Sequence, residues 1–408
     1  MSDSPSHTEP SRTGLVILLA GLAMFGPFSI DTIFPMFQVM ERELRIDAIQ
    51  MQQTISVYLL AYGVMSLLHG PLSDALGRRA VIMGGVAMFG LASIGCALSN
   101  SIWVLLGFRA LQGFSAGSGL IVGRAIIRDR FHGASAQRVM SRITLVFGMA
   151  PAIAPMIGGH IGTRFGWQAI FHFLALFSLV LLLACWRWLP ETHPKALRQP
   201  LAPRPLFGRY FDMLANPAFV WVALSGSFNF SAMFIYIASA PVFVLTHLAL
   251  GQTDFVYFFA PTIAGMMMGA WLSGHRAGRE PPASTIRLAY RIMLVAGLAN
   301  VAYCLLVPKV SWPWAVLPIM ANGIGISLAF PTLALLLLDL YPNERGTASS
   351  LQAFIQLMIS TLVAGLISPW LARQPLYLAI GAVSSSLIGL LAWRKARRYG
   401  IGEAQPTQ

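Results

Sequence analysis

Long apolar runs alternate with short polar breaks along almost the whole chain. About twelve of these runs reach the ~20 residues that a membrane-crossing helix needs. They lie near 14–37, 51–70, 80–98, 102–126, 138–162, 167–189, 218–244, 255–274, 287–308, 312–338, 347–371 and 375–393. The one long interruption, Pro190 to Pro217, is rich in Pro, Arg and Lys and divides the runs six and six. The pattern predicts an all-α integral membrane protein of twelve transmembrane helices in two six-helix halves. Its expected parts are a tail over 1–13, a first half over 14–189, a linker over 190–217, a second half over 218–393 and a basic tail over 394–408.

Composition sharpens this picture. Hydrophobic residues make up 56% of the 408 positions and charged residues 11%, against roughly 25% charged in soluble domains. The net charge of +13 does not form a nucleic-acid-binding patch, because the bases sit in short loops. Of 28 Lys and Arg, only Arg42, Arg45, Arg164, Lys309 and Arg373 fall in odd-numbered loops, and Arg109 lies within a span. The rest lie in even-numbered loops, at the span ends that border them and in the termini, so the positive-inside rule places both termini and the linker in the cytoplasm. Residues 1–12 lack the features of a signal peptide, so the first run stays in the mature protein. Cys96, Cys185 and Cys304 sit in apolar runs without metal-ligand spacing, which points to neither a disulfide nor a metal.

Charge inside the spans is rare enough to be informative. Of 15 acids only Asp31 lies well within a span, and of the bases only Arg109 does. Each sits six or seven residues from the outer end of its helix, roughly 9–11 Å deep at ~1.5 Å per residue. Such charges face a partner or a cavity, so the two are expected to pair. A carboxylate in that setting can change its protonation state, as proton-coupled transport requires. A second charged set lies at the cytoplasmic edge. The turn Gly70–Arg79 carries Asp74, Arg78 and Arg79 between Gly70 and Gly77, and Asp129 stands at matching depth after the fourth span. Ser273–Arg279, after the eighth span, echoes that turn without its Asp. Gly113-Phe114-Ser115-Ala116-Gly117 matches a hydrolase pattern, but inside an apolar helix it lacks the strand–turn–helix context of a nucleophile elbow. The Gly119/Gly123 and Gly265/Gly269 pairs are expected to pack helices within the protein.

The 70–79 turn resembles the signature loop of the major facilitator superfamily of secondary transporters, although Ala75 stands where that family often has a base. Arg109 followed by Gln112 and Gly113 resembles its intramembrane arginine motif. Ser29-Ile30-Asp31-Thr32-Ile33-Phe34-Pro35 resembles the first-helix signature of drug:proton antiporters, nearest to the bicyclomycin/chloramphenicol-resistance branch. Arg124 to Asp129, Leu189-Pro190-Glu191-Thr192 and Ala238-Ser239-Ala240-Pro241 fit the same branch. Pro155, Gly158 and Gly159 resemble the antiporter motif of the fifth helix, with Ala154 in place of its usual Gly.

The resemblance implies the major facilitator fold, with a substrate site at the midplane between the halves. It implies a proton-coupled efflux transporter, not an enzyme, exporting amphipathic antibiotics such as chloramphenicol- or bicyclomycin-like compounds. The proton gradient drives it without a cofactor. The setting is a bacterial inner membrane, the partners are drug-like molecules, protons and lipid, and the unit is a monomer. Asp31 and Arg109 would couple the proton. Gly70, Asp74, Gly77, Arg78, Arg79, Arg124 and Asp129 would form a conformational latch, and Gln112, Gly113, Pro155, Gly158 and Gly159 would pack the antiporter helices. Tyr58, Tyr62, Asn229, Phe230, Phe234, Tyr236, Gln352 and Gln356 lie in spans that line the cavity of this fold. The same pattern also fits export of a cell metabolite, and more remotely a membrane-embedded enzyme or receptor.

Overall fold

A computed structural model describes residues 12–131, 133–198 and 203–402, and among them every regular element is helical. Most of the expected 1–13 tail and the end of the 394–408 tail fall outside that set. Eleven helices are long and apolar enough to cross a membrane: α1 (Thr13–Leu44), α2 (Ala48–Leu76), α3 (Arg78–Ala97), α4 (Ile102–Arg130), α6 (Trp167–Trp188), α8 (Pro217–Ala238), α9 (Val256–Arg276), α10 (Pro282–Leu306), α11 (Leu317–Asp339), α12 (Arg345–Leu371) and α13 (Pro375–Arg397). Between α4 and α6 runs α5 (Gly133–Phe165), a helix of 33 residues over the position of the remaining expected span. The linker carries a further helix, α7 (Pro203–Ala215).

The chain divides into two units. The first comprises α1, α2 from Leu60 onward, and α3 to α6. Its helices meet through small residues, as membrane helices do when close backbone approach drives their packing. A Cβ on Gly119 would strike the Leu22 carbonyl, one on Gly85 the Ser118 hydroxyl, and one on Gly158 the Thr32 carbonyl. The rings of Phe25, Phe28, Phe89 and Phe177 fill the space between α1, α3 and α6. Leu176, Leu179, Val180 and Leu183 turn outward along α6, as a lipid-facing surface requires.

The second unit comprises Asp47–Leu59 at the start of α2 together with α7 to α13. Gly265 and Gly269 of α9 sit against the carbonyls of Met320 and Ile324 on α11. Both glycine pairs singled out in the sequence thus pack helices inside the protein. Buried hydroxyls and amides tie α8 to its neighbours: Ser225 bonds Tyr290 at 2.8 Å, Asn300 donates to the Tyr236 hydroxyl at 2.7 Å, and Ser239 bonds Ser368 at 2.6 Å. Gln52 donates to the Ala238 carbonyl at 2.8 Å and Gln53 to the Gly365 carbonyl at 3.1 Å, fastening the start of α2 within this unit.

Two helices depart from regular geometry beside the residues of interest. In α1 the α-helical stretch Phe25–Asp31 ends at Asp31, and a tight 3₁₀ turn follows over Phe34–Met36. Pro35 has no N–H to continue the helical ladder. In α4 the turn widens over Ser118–Val122, the kind of π-bulge that recurs at functional sites.

Candidate functional site

Asp31 is the last residue of the Phe25–Asp31 stretch and is 3% exposed. Arg109, on α4, is fully buried. The expected ion pair between them is not formed. The Arg109 guanidinium donates from Nη1 to the Ser29 carbonyl, the Ser29 hydroxyl and Gln112 Oε1, each at 2.9 Å. The reason is helical periodicity. Positions two apart are rotated by about 200°, so turning Ser29 toward α4 turns Asp31 away from it. The Asp31 carboxylate makes no hydrogen bond or ion pair with another described residue. The neighbouring Thr32 carbonyl is pressed by Gly158 of α5, and Gly162 meets Met36 one turn further on.

Gln112 is the hub of the Arg109 site. Its Nε2 donates to Ser93 on α3 at 2.8 Å, while its Oε1 takes the Arg109 bond. One side chain thereby joins α1, α3 and α4 in a layer that is wholly buried at Ser29, Ser93, Arg109 and Gln112.

At the far end of the unit, Arg78 holds the charged turn together. Its guanidinium donates to Asp74 and, at 2.6 Å, to the Ser73 hydroxyl, and its Nε reaches Asp129 at 3.3 Å. Its backbone N–H is held at 3.0 Å by Glu191, from the segment after α6. Glu191 also pairs with Arg198 at 3.4 Å, and Thr192 donates to Asp129 at 2.8 Å. Gly77 has φ +98°, and a Cβ there would strike Arg198 and Glu191; both facts call for glycine. Arg79 caps α6 by donating to the Trp186 carbonyl at 2.6 Å. Two expectations need correction. A Cβ on Gly70 would meet open space, so no close approach explains that glycine. Arg124 is exposed and makes no ion pair with a described residue; it lines a shallow groove with Leu19, Ala23 and Ile143 instead of joining the Arg78 cluster.

The model of the Major Facilitator Superfamily matches residues 16–365. The chain belongs to that superfamily. An uncharacterised MFS-type transporter, YdgK, of Bacillus subtilis is 28% identical over 402 residues, spanning 97% of this chain and 98% of the relative. A bicyclomycin resistance protein homologue of Haemophilus influenzae is 27% identical over 361 residues, covering 88% of this chain and 90% of its own length. Similar relatives also include a protein named multidrug resistance protein D in Escherichia coli, 27% identical over 87% of this chain and 88% of its own length. Among solved structures, a bacterial homologue of the human lysosomal transporter Spinster superposes with a TM-score of 0.74 at 16% identity, over 98% of this chain and 100% of that one. The protein is therefore a multi-span membrane transporter with the major facilitator fold, and not an enzyme.

The fold treats the eight expected cavity residues unequally. Asn229 donates to the Met293 sulfur at 3.2 Å and Tyr236 accepts from Asn300, so both bond to α10 inside the second unit. Being seven apart, they share one helix face. Gln352 packs toward Gly226 of α8, Tyr58 is fully buried, and Phe234 is nearly so. Tyr62, Phe230 and Gln356 keep part of their surface open. The Tyr62 ring leans on Gly117 of α4; Phe230 stacks on Phe234 with ring centroids 5.8 Å apart. Pro155, Gly158 and Gly159 lie on α5, and Gln112 and Gly113 on the buried face of α4. Sequence reasoning missed Ser29, Ser93 and Glu191 as contributors. Glu191 had a signal: it is the acid that follows α6 at the depth of the Gly70–Arg79 turn.

Proposed function

We propose that this transporter exports amphipathic drug-like molecules in exchange for protons and that Asp31 carries the proton. The observation that carries the reading is a carboxylate 3% exposed, with no hydrogen bond or ion pair to a described residue, on a helix anchored two residues earlier by a buried arginine. An ionised side chain in a span costs about 2.5–3.5 kcal/mol on insertion scales, so a carboxylate without a partner gives a large reward for taking up a proton or a cationic or polar ligand. Those two occupants exclude one another, which is the requirement for exchange. Arg109 positions the segment that bears Asp31 and supplies a fixed positive charge. The Arg78 cluster serves as the latch, binding α2, α3, α4 and the chain after α6. One charge crossing 100 mV is worth about 2.3 kcal/mol, enough for a roughly fifty-fold gradient of a neutral substrate. The drug-resistance names of several relatives support the choice of substrate class, and the distribution of Lys and Arg supports cytoplasmic termini.

The test is drug accumulation in efflux-deficient bacteria producing the chain, with and without a protonophore. Wild type is expected to hold chloramphenicol-like compounds at a lower level, an effect abolished by the protonophore and by Asp31→Asn. No exclusion of any drug by protein that reaches the membrane overturns the substrate class. Uphill export by Asp31→Asn overturns the coupling residue.

A further inference from the structure

Helix α7 has two apolar faces, and the described residues cover only one. Tyr210 and Met213 are 4% and 0% exposed and seat the helix on α8 and α12, with the Tyr210 hydroxyl bonded to the Ser350 side chain. Phe207, Phe211 and Leu214 are 43%, 69% and 42% exposed. At 3.6 residues per turn these three fall within an arc of about 60°, beside the buried face and away from Arg209 and Asp212. Arg209 is engaged with Glu344 at 3.5 Å. Arg204, about two turns before Phe211 and on the same side of the helix, is exposed and makes no ion pair with a described residue.

The position of the helix says what covers this ridge. Asn216 caps α8 by accepting from the Ala218 N–H at 3.0 Å, so α7 ends where a membrane span begins. Leu214 lies three residues before Pro217, at most ~10 Å of chain from the span. One turn into α8, Trp221 has the Lys395 ammonium 4.6 Å above its ring, a pairing of aromatic and base typical of the headgroup level. An apolar ridge at that level, flanked by a base without an internal partner, fits a bilayer surface bearing negative charge.

We propose that α7 lies in the membrane surface, with Phe207, Phe211 and Leu214 at the acyl-chain boundary and Arg204 on the phosphates of anionic phospholipids. The helix is then a lipid-reading element at the entrance to the second unit, independent of which solute is carried.

The experiment places nitroxide labels on the full chain, with Cys96, Cys185 and Cys304 replaced, at 207, 208, 211, 212 and 214 in turn. The protein is reconstituted in phosphatidylcholine vesicles with or without phosphatidylglycerol. Collisions with oxygen report acyl surroundings, and collisions with a water-soluble nickel complex report solvent. Labels at 207, 211 and 214 are expected to favour oxygen by about threefold over those at 208 and 212, at a depth of about 5–10 Å. Phosphatidylglycerol is expected to increase that depth, and Arg204→Gln to remove the increase. Equal nickel access at all five positions overturns the proposal. So does protection from both reagents at 207, 211 and 214, which is the signature of a protein partner such as a second copy. An oxygen pattern indifferent to phosphatidylglycerol and to Arg204→Gln overturns the anionic-lipid assignment. All labelled sites are exposed, and retained transport by the labelled protein verifies the fold.

Discussion

Arg109 grips Ser29 twice, through the hydroxyl and through the carbonyl oxygen, each at 2.9 Å. The carbonyl bond is to the backbone, so no substitution at Ser29 can remove it. What can be removed is the bridge through Gln112. Gln112→Leu removes one buried hydrogen bond from Arg109 and one from Ser93, about 1.5–3 kcal/mol for the charged bond and about 0.5–1.5 kcal/mol for the neutral one, while Arg109 keeps Ser29 and Ser93 keeps the Phe89 carbonyl. Ser29→Ala deletes one acceptor and keeps the other. We expect Gln112→Leu to lower the melting temperature of the detergent-solubilised protein clearly, and Ser29→Ala to change it by much less.

The Glu191 carboxylate has two separable tasks. One oxygen accepts the N–H groups of Arg78 and His193, each at 3.0 Å, and the other pairs with Arg198. Glu191→Gln retains an acceptor for the backbone and loses only a partly exposed ion pair, worth about 0–1 kcal/mol. Glu191→Ala loses both. Export rates in inverted vesicles are expected to stay near wild type for Gln and to fall several-fold for Ala; equal loss in both variants would show that the charge, and not the acceptor, matters.

On α5 the effect of a single methyl group depends on position. Gly158→Ala drives a Cβ into the Thr32 carbonyl, whereas the same change at Gly148 meets open space. Overpacking against backbone typically costs about 1–3 kcal/mol. Gly158→Ala is expected to reduce folded yield and transport, and Gly148→Ala to leave both unchanged, as read by fluorescence-detected size exclusion and drug accumulation.

If a proton and a drug compete for Asp31, apparent drug affinity falls as pH falls. Below the titration midpoint the loss approaches about tenfold per pH unit for a single proton. Asp31→Asn cannot titrate, so its binding curve is expected to be flat across the same range. Equilibrium binding in detergent between pH 5 and 9 measures both; a matching slope in Asp31→Asn assigns the proton to another group.

Helix α7 offers an alkaline readout of its own. Burial pushes the Tyr210 hydroxyl up to about 12 from its ordinary 10, only partly opposed by the bond to Ser350. A raised pKa, which is a smaller acid constant, means the folded state favours the neutral phenol. That contribution is complete below pH 10 and disappears as pH rises toward 12. Wild type is therefore expected to lose stability over that window more steeply than Tyr210→Phe, as followed by thermal melts at stepped pH.

Much of the fold was legible because hydrophobic span length and the placement of Arg and Lys are constraints that the bilayer imposes on sequence directly. The charged cluster around Arg78 was legible for a related reason. Asp74, Arg78 and Asp129 are charged residues at one depth, and the structure joins them. The Asp31–Arg109 pair was misjudged because depth along a helix carries no information about rotation around it. Ser29 and Asp31 share a level and face opposite ways. The bonds of Asn229 and Tyr236 to the next helix were illegible for the same reason, since a polar residue on an inner span serves a neighbouring helix as readily as a ligand. Linker helix α7 escaped notice because its proline and glycine obscured the pattern of Phe207, Phe211 and Leu214.

The span α8 is the most buried of the eleven, and its Ser225, Ser227, Asn229 and Ser231 are buried against protein instead of facing lipid. Its partner Tyr290 lies 65 residues downstream of Ser225. At ~5–20 residues per second, α8 waits roughly 3–13 s during synthesis before that hydroxyl emerges from the ribosome. For that interval the span depends on the insertion machinery rather than on its own fold. Biogenesis thus has a vulnerable moment midway through translation, when the buried hydroxyls and amide of an otherwise apolar span lack their final partners.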